Sequence, residues 1–480
     1  MMVSSEARPW AKSGGLADVV GSLPSALTRF GHKVSVVIPR YMDAAKAPAN
    51  RIADRIPIYI GGGVRLVSIW ALESNGVTHY FVDEPILYAR DGLYGDQYGE
   101  YGDNHYRFAV LCRAALEIAR RFSPTDIFHC HDWQTGLLPL YLKESPSVDP
   151  AFLGAKTLMT IHNLAYRGIY GRDVMPSISL PPRLYRPDLI EFWGSISLLK
   201  AGLVYADELS TVSATYAREI QTSEQGEGLD GLLRARSASL YGIVNGIDYE
   251  VWNPEDDWHI PAPYSVNDLS GKGACKRDLI AEFGLPESAM DRPLLAMISR
   301  FADQKGFDIF RSIAWEMLTN DDVYLVVLGS GDPSIEDMLR WLKQHYQDRV
   351  GLRIGFDESL AHRIEAGADI FVMPSRYEPC GLNQMYSLRY GTPPVVRATG
   401  GLEDTVDAAP DPAPTGFKFV DYNGGALLWA IRQACGTWTD RGSWTAMMAR
   451  GMRKDFSWAA SAAAYSRLYS GCIPEPHERI

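Results

Sequence analysis

Short runs rich in Val and Ile alternate with amphipathic stretches along the whole chain, and this alternation limits the fold more than any other feature. In the first half the apolar runs fall at 34–38, 79–82, 127–131, 157–162, 209–212 and 242–244. In the second half they fall at 294–299, 324–328, 352–354, 370–373 and 394–396. Between them, stretches such as 104–122 and 335–346 repeat apolar residues at helical spacing. A strand that is apolar throughout is buried on both faces, so the pattern predicts α/β architecture, with parallel sheets covered by helices on either side.

A chain of 480 residues exceeds the size at which one hydrophobic core stops growing, which predicts at least two domains. The stretch 253–270 is rich in Pro, Asp and Trp and has no periodicity. It reads as a linker between an N-terminal domain, 1–252, and a second domain, 271–456, with a helical tail at 457–480. A single closed α/β barrel is the competing architecture, and both the length and the central linker count against it. Three prolines at 408–415 mark a surface loop, and no internal repeat is present.

The net charge is −11, from 47 basic and 58 acidic side chains. An acidic molecule is not attracted to nucleic acid or to an anionic membrane, although a basic pocket can still sit within it. Met1 to Glu6 show neither the basic nor the apolar part of a secretory signal, and no apolar run approaches the roughly 20 residues that span a bilayer. Six scattered cysteines without a CxxC pair read as reduced thiols. These features together predict a cytoplasmic protein.

Polar residues gather where the apolar runs end: His131 and Asp132, His162 and Asn163, Arg300, Gly329-Ser330-Gly331, and Ser375 to Glu378. Open α/β sheets bind ligands beyond the carboxyl ends of their strands, and two such sheets facing each other would share one site. Lys12-Ser13-Gly14-Gly15 leads into a helix that runs to about Phe30. Adjacent glycines let backbone N–H groups approach a phosphate, with Lys12 adding a formal charge; an ordinary strand–helix turn is the competing reading. Arg300 and Lys305 follow the first run of the second half and could neutralise a departing diphosphate, or simply be solvated. Glu378, before Cys380, Gly381 and Leu382, suits contact with sugar hydroxyls or a cationic sugar; a helix-capping carboxylate is the alternative. Gly381 and Leu382 offer N–H groups to a second phosphate.

His129-Cys130-His131 resembles a metal site only superficially, because on a strand the two histidines share one face while the cysteine points away. No second cluster of suitable spacing completes a zinc site, and no Asp-x-Asp offers the usual metal bridge to a nucleotide diphosphate. No metal ligand is therefore assigned from the sequence, and Lys12, Arg300 and Lys305 are available for the electrostatic work instead. Gly329-Ser330-Gly331 is half of a dinucleotide fingerprint, with Ser334 where the third glycine should stand, so no redox cofactor is expected.

Taken in order, KSGGLADVVGSLP, HCHDWQTGLLP, TIHNLAYRG, VNGID, SRFADQKG, SRYEPCGLNQMYSLRYGTPPVV and ATGGLEDTV resemble the bacterial glycogen synthase and plant starch synthase family from Ser4 to about Phe456. The resemblance implies the GT-B architecture, two Rossmann-like domains with the active site between them. It also implies retaining transfer of glucose from ADP-glucose to the non-reducing end of an α-1,4-glucan such as glycogen, without a metal or other cofactor.

On that pattern Lys12, Gly14 and Gly15 face the diphosphate, with Asp18 in the same motif. Arg300 and Lys305 hold the departing phosphates, and Glu378 contacts the transferred glucose. His162 positions that glucose, while Asp132 lies toward the acceptor. Tyr94, Asn245 and Thr399 map to the substrate side, and the helix at 458–469 returns to the first domain.

The chain departs from the pattern at several places. Tyr386 stands where other retaining transferases of this fold carry a second Glu, as is usual in the synthases. Phe356 replaces a tyrosine that stacks on adenine, Ser13 replaces a threonine, and the first strand is short. Rival readings are a same-fold enzyme making maltose 1-phosphate from glucose 1-phosphate, a phosphorylase-like enzyme, and a non-catalytic glucan-binding protein. The phosphorylase reading needs a cofactor lysine that these motifs do not supply. Intact Lys12, Arg300, Lys305 and Glu378 count against the binding protein.

Overall fold

The structure is a computed structural model that describes residues 1–144 and 149–472. Its contacts divide the chain into two units, Met1–Gly246 with the segment from Trp458 onward, and Ile247–Ser457.

The first unit is built on nine strands: β1 (Met2–Val3), β2 (Val34–Pro39), β3 (Asn50–Ile60), β4 (Gly63–Ser74), β5 (Val77–Asp83), β6 (Ile127–His131), β7 (Lys156–Ile161), β8 (Glu208–Thr211) and β9 (Leu240–Gly242). Their order is β9-β8-β7-β6-β1-β2-β5-β4-β3. From β9 to β5 all neighbours are parallel, as the apolar runs imply. The purely parallel sheet expected from the sequence is corrected at one edge, where β4 pairs antiparallel with β5 and with β3. These two strands alternate buried and exposed residues, so only one face needs cover. The short first strand is central: Met2 and Val3 pair with Val36 and Val37 on one side and with His129 and Cys130 on the other.

The helix Trp458–Cys472 packs on the helix Gly15–Thr28. Tyr469 hydroxyl meets His129 Nδ1 at 2.7 Å, and Ser461 donates to the Val244 carbonyl at 2.7 Å. All six cysteines are free thiols.

The second unit carries a six-stranded sheet: β10 (Leu294–Phe301), β11 (Tyr324–Gly331), β12 (Val350–Ile354), β13 (Ile370–Met373), β14 (Pro394–Arg397) and β15 (Phe417–Phe419), in the order β12-β11-β10-β13-β14-β15. Every pairing is parallel. Side chains alternate between two cores: Leu325 and Val327 join Phe310, Met317 and Ile431 on one face, while Tyr324, Val326 and Leu328 join Leu279, Ile364 and Phe371 on the other.

The stretch 253–270 is not a free linker. Asp257, Ile260 and Tyr264 are buried, and Tyr264 hydroxyl donates to the Tyr390 carbonyl at 2.8 Å. The contact boundary falls at Gly246 and Ile247 because Ile247 already bonds to Phe456 O at 2.8 Å and bridges Ser457.

The helix Phe307–Asn320 shows why the fold is robust on one face and tolerant on the other. Phe310, Ile313, Ala314 and Met317 are buried at i, i+3, i+4 and i+7, whereas Trp315 is 62% exposed. Phe310→Ala should cost about 3–5 kcal/mol in chemical denaturation, and Trp315→Ala less than about 0.5 kcal/mol. Equal costs for the two would show that the helix is docked on a different face.

Candidate functional site

In the second unit the candidate residues collect at the carboxyl edge of the sheet. Arg300 lies near the end of β10, where Phe301 turns into the core and packs on Phe307 at 5.1 Å. Alternation along the strand sends Arg300 to the opposite face. Its guanidinium is exposed and forms no ion pair among the described residues.

The chain then makes a tight turn, Asp303–Lys305, and enters the next helix through Gly306. Gly306 has φ +75°, and a Cβ there would sit 1.9 Å from the Pro374 carbonyl oxygen, so no side chain fits. That close approach joins the loop after β10 to the loop after β13. Arg376 N donates to Gln304 O at 2.8 Å and Gln304 Nε2 to Tyr377 O at 3.2 Å.

The consequence is an ion pair. Lys305 Nζ lies 2.6 Å from Glu378 Oε2, which also accepts from Ser375 Oγ at 3.1 Å. Both side chains are largely shielded, at 20% and 7% exposure, so the attraction is weakly screened. A third loop, after β14, fixes the Glu378 backbone: Gly401 N donates to its carbonyl at 3.1 Å. Gly400 has φ +46°, and a Cβ there would meet the same carbonyl at 1.9 Å. Thr399 and Cys380 are buried beside this contact, and Gly381 and Leu382 precede the helix Asn383–Arg389. Asn383 Nδ2 anchors that helix to Ile298 O at 2.7 Å. Phe356, just after β12, is 83% exposed. Tyr386 is a core ring stacked on Trp252 at 3.9 Å.

In the first unit the candidates also follow the carboxyl ends of strands. The turn after β1 exposes Lys12 to Gly15, and a Cβ on Gly14 would have no protein atom within 4 Å. Lys12 Nζ is paired to Asp18 at 2.8 Å, and Arg8 reaches the same carboxylate at 3.3 Å. Glu6, which the sequence reading missed, ties this turn to Tyr94: it accepts from Ser13 Oγ at 2.7 Å, from Ser13 N and from the Tyr94 hydroxyl. Its only signal was an acidic residue two serines beyond an apolar start.

Asp132 and His162 are brought together after β6 and β7. Asp132 Oδ1 accepts from His162 N at 2.7 Å. Burial pushes the Asp132 carboxyl up to about 7, against the lowering effect of the His162 and Asn163 N–H groups. Its backbone, at φ +56° and ψ −176°, occupies a region that side chains rarely adopt, a strain typical of functional positions.

Burial lowers His162 to about 3, so its ring is neutral, and its Nε2 lies 3.0 Å from His131 Nδ1. His131, also unassigned from sequence, keeps a buried Nε2 without a partner. Asn245, after β9, has a buried unpartnered Oδ1. The structure thus groups Lys12, Gly14, Gly15, Asp18 and Tyr94 through Glu6, pairs Asp132 with His162, and groups Arg300, Lys305, Glu378, Cys380, Gly381, Leu382 and Thr399. Among the described residues, neither Phe356 nor Asn245 makes a side-chain hydrogen bond or ring contact with these groups.

Two Rossmann-like units, each with its polar groups on the carboxyl edge of the sheet, define a glycosyltransferase of the GT-B class. A sucrose-phosphate synthase structure from Thermosynechococcus elongatus shares the fold, with TM-score 0.60 and 19% identity over 98% of both chains. The starch synthase catalytic domain family matches residues 1–235, and the glycosyl transferases group 1 family matches 282–444. Glycogen synthases of Anaeromyxobacter sp. (strain Fw109-5) and Myxococcus xanthus (strain DK1622) are 51% and 47% identical, the first over 98% and the second over 99% of both chains. The catalytic domain of starch synthase IV from Arabidopsis thaliana, solved with ADP and acarbose, superposes with TM-score 0.90 at 32% identity over 98% of both chains. The chain belongs to the glycogen synthase and starch synthase family, and it is a glucan-elongating glucosyltransferase. No helix among the described residues is long and apolar enough to cross a membrane.

Asp132 supplies a test with a definite sign. Its folded pKa is raised, so its contribution to stability is present below the unfolded value of 3.8 and is lost as pH rises toward 7. Asp132→Asn cannot ionise, so the variant should gain stability relative to the parent by roughly 1–4 kcal/mol between about pH 4 and pH 8. Urea unfolding at both values checks it; a difference that stays flat would mean that Asp132 titrates normally.

Proposed function

We propose that the chain transfers glucose from ADP-glucose to the non-reducing end of an α-1,4-glucan, with retention of configuration and without a catalytic metal. The observation that carries this reading is the pairing of Lys305 with Glu378, together with an exposed Arg300 at the end of β10 that forms no ion pair among the described residues.

Negative charge grows on the diphosphate as the glycosidic bond to the donor breaks, and preformed positive groups stabilise that state without reorganising. We assign Arg300 and Lys305 to the diphosphate, with the Gly381 and Leu382 N–H groups and Thr399 beside it. Glu378 orients Lys305 and accepts from glucose hydroxyls with its remaining lone pairs. The exposed ring of Phe356 is assigned to stacking on adenine.

In the first unit, Lys12 and the Gly14-Gly15 turn are assigned to the phosphates, where an absent Cβ lets N–H groups come close. Asp18 holds Lys12, and Glu6 with Tyr94 holds the turn. His162, neutral and anchored to Asp132, positions the glucose, and Asp132 with Asn245 lies toward the glucan.

Arg300→Ala is the cleanest variant, because this side chain has no ion pair to lose among the described residues. Turnover with ADP-glucose and glycogen should fall about 10²–10³-fold with the melting temperature unchanged. Glu378→Gln should lower turnover to a similar degree. Rates near the parent's in either variant would remove that residue from the scheme. Parallel assays with UDP-glucose test the donor, for which the parent should be slower by an order of magnitude.

A further inference from the structure

Five rings of the second unit follow one another in a continuous run, two contacts stacked and two tilted. Tyr386 lies on Trp252 at 3.9 Å between centroids, Trp252 on His362 at 3.8 Å, His362 on His259 at 4.5 Å, and His259 on Trp258 at 3.6 Å. Asp257 lies against this run. Its Oδ2 accepts from the Tyr390 hydroxyl at 2.6 Å and lies 2.7 Å from His362 Nδ1, and its Oδ1 accepts from His259 N at 2.9 Å.

Burial acts to raise the Asp257 carboxyl, but the hydrogen bonds from His362, Tyr390 and His259 prevail, and the group is held below its ordinary value. Asp257 Oδ2 engages the Nδ1 side of His362, which leaves Nε2 as the ring nitrogen open to a ligand. His362 is fully buried, and this Nε2 has no partner. The Nδ1 of His259 is likewise buried and unpartnered. A buried polar atom left without a partner is destabilising unless something binds it.

We propose that His362 and His259 bind one divalent transition-metal ion of the kind that prefers imidazole, such as Zn²⁺ or Ni²⁺, with Asp257 holding His362 by its Nδ1. One donor atom from each residue lies within 4.8 Å of the other two. Zn–N bonds of roughly 2.0–2.1 Å put tetrahedral donors about 3.4 Å apart, so the site closes slightly on loading. His259 is the ring free to move, since it is half-buried and its neighbour Trp258 is 83% exposed. A carboxylate behind a histidine fixes the tautomer that presents Nε2, an arrangement metal sites use to orient their ligands. The bound ion would fasten the Ile247 to Tyr264 stretch to the helix Glu358–Gly367. It belongs to the architecture of this unit and takes no part in glucosyl transfer.

Calorimetric titration of the chelator-stripped full chain with Zn²⁺ tests the proposal. One ion per chain is expected, with affinity about tenfold or more weaker in His259→Ala, and with Mg²⁺ unable to compete. Zn²⁺ should raise the melting temperature of the parent but not of the variant, while the turnover of His259→Ala stays within about twofold of the parent. Ni²⁺ should quench tryptophan fluorescence in the parent, because Trp252 and Trp258 flank the two imidazoles; this readout needs no variant. No Zn²⁺ binding by the parent, or equal binding by His259→Ala, would overturn the proposal.

Discussion

Lys305 and Glu378 meet because two loops of the second sheet are forced into contact, and the rest of the site is arranged around that pair. β10 and β13 are neighbours in the sheet although about seventy residues of chain separate them, so the loops that follow them emerge side by side. Gly306 lets the first loop press on the Pro374 carbonyl, and Gly400 lets a third loop press on the carbonyl of Glu378. With the backbone held at both ends, the lysine has little freedom to lose when it engages a ligand. Partial burial keeps its charge from being screened by salt.

The first unit uses burial in the opposite sense. His129, His131 and His162 lie among buried groups where charging is costly, and all three rings are held neutral, with pKa values pushed down. His129 is locked between Tyr469 hydroxyl and Thr160 Oγ1, at 2.7 and 2.6 Å. Through that lock the helix Trp458–Cys472 supports the strand that presents Asp132. A neutral, hydrogen-bonded network of this kind orients polar atoms without placing competing positive charge near a sugar. The strained backbone of Asp132 persists because the surrounding bonds over-determine it.

The parallel strands were legible because they are buried on both faces and write themselves as continuous apolar runs. Most of those runs lie within a few residues of the observed strands; 242–244 overlaps β9 only at Gly242. The antiparallel pair β3 and β4 was not legible in that way. Arg51, Asp54 and Arg65 interrupt its apolar residues, and only every second position faces inward. The stretch 253–270 misled for a related reason: it packs through isolated Asp257, Ile260 and Tyr264 rather than through a periodic face. Arg300, Lys305 and Glu378 were readable from their places after strands. Glu6 and His131 act by contacts with Tyr94 and His162, far along the chain, that local pattern does not encode.

The central claim is that side-chain cations, rather than a divalent ion, meet the charge of the nucleotide diphosphate. Calorimetry of ADP and of AMP in chelator-treated buffer tests it most directly. The account expects ADP to bind at least about tenfold more tightly than AMP, since charge-assisted bonds to the second phosphate contribute roughly 1.5–3 kcal/mol, and expects added Mg²⁺ to leave that advantage unchanged. An advantage for ADP that appears only when Mg²⁺ is supplied would contradict it.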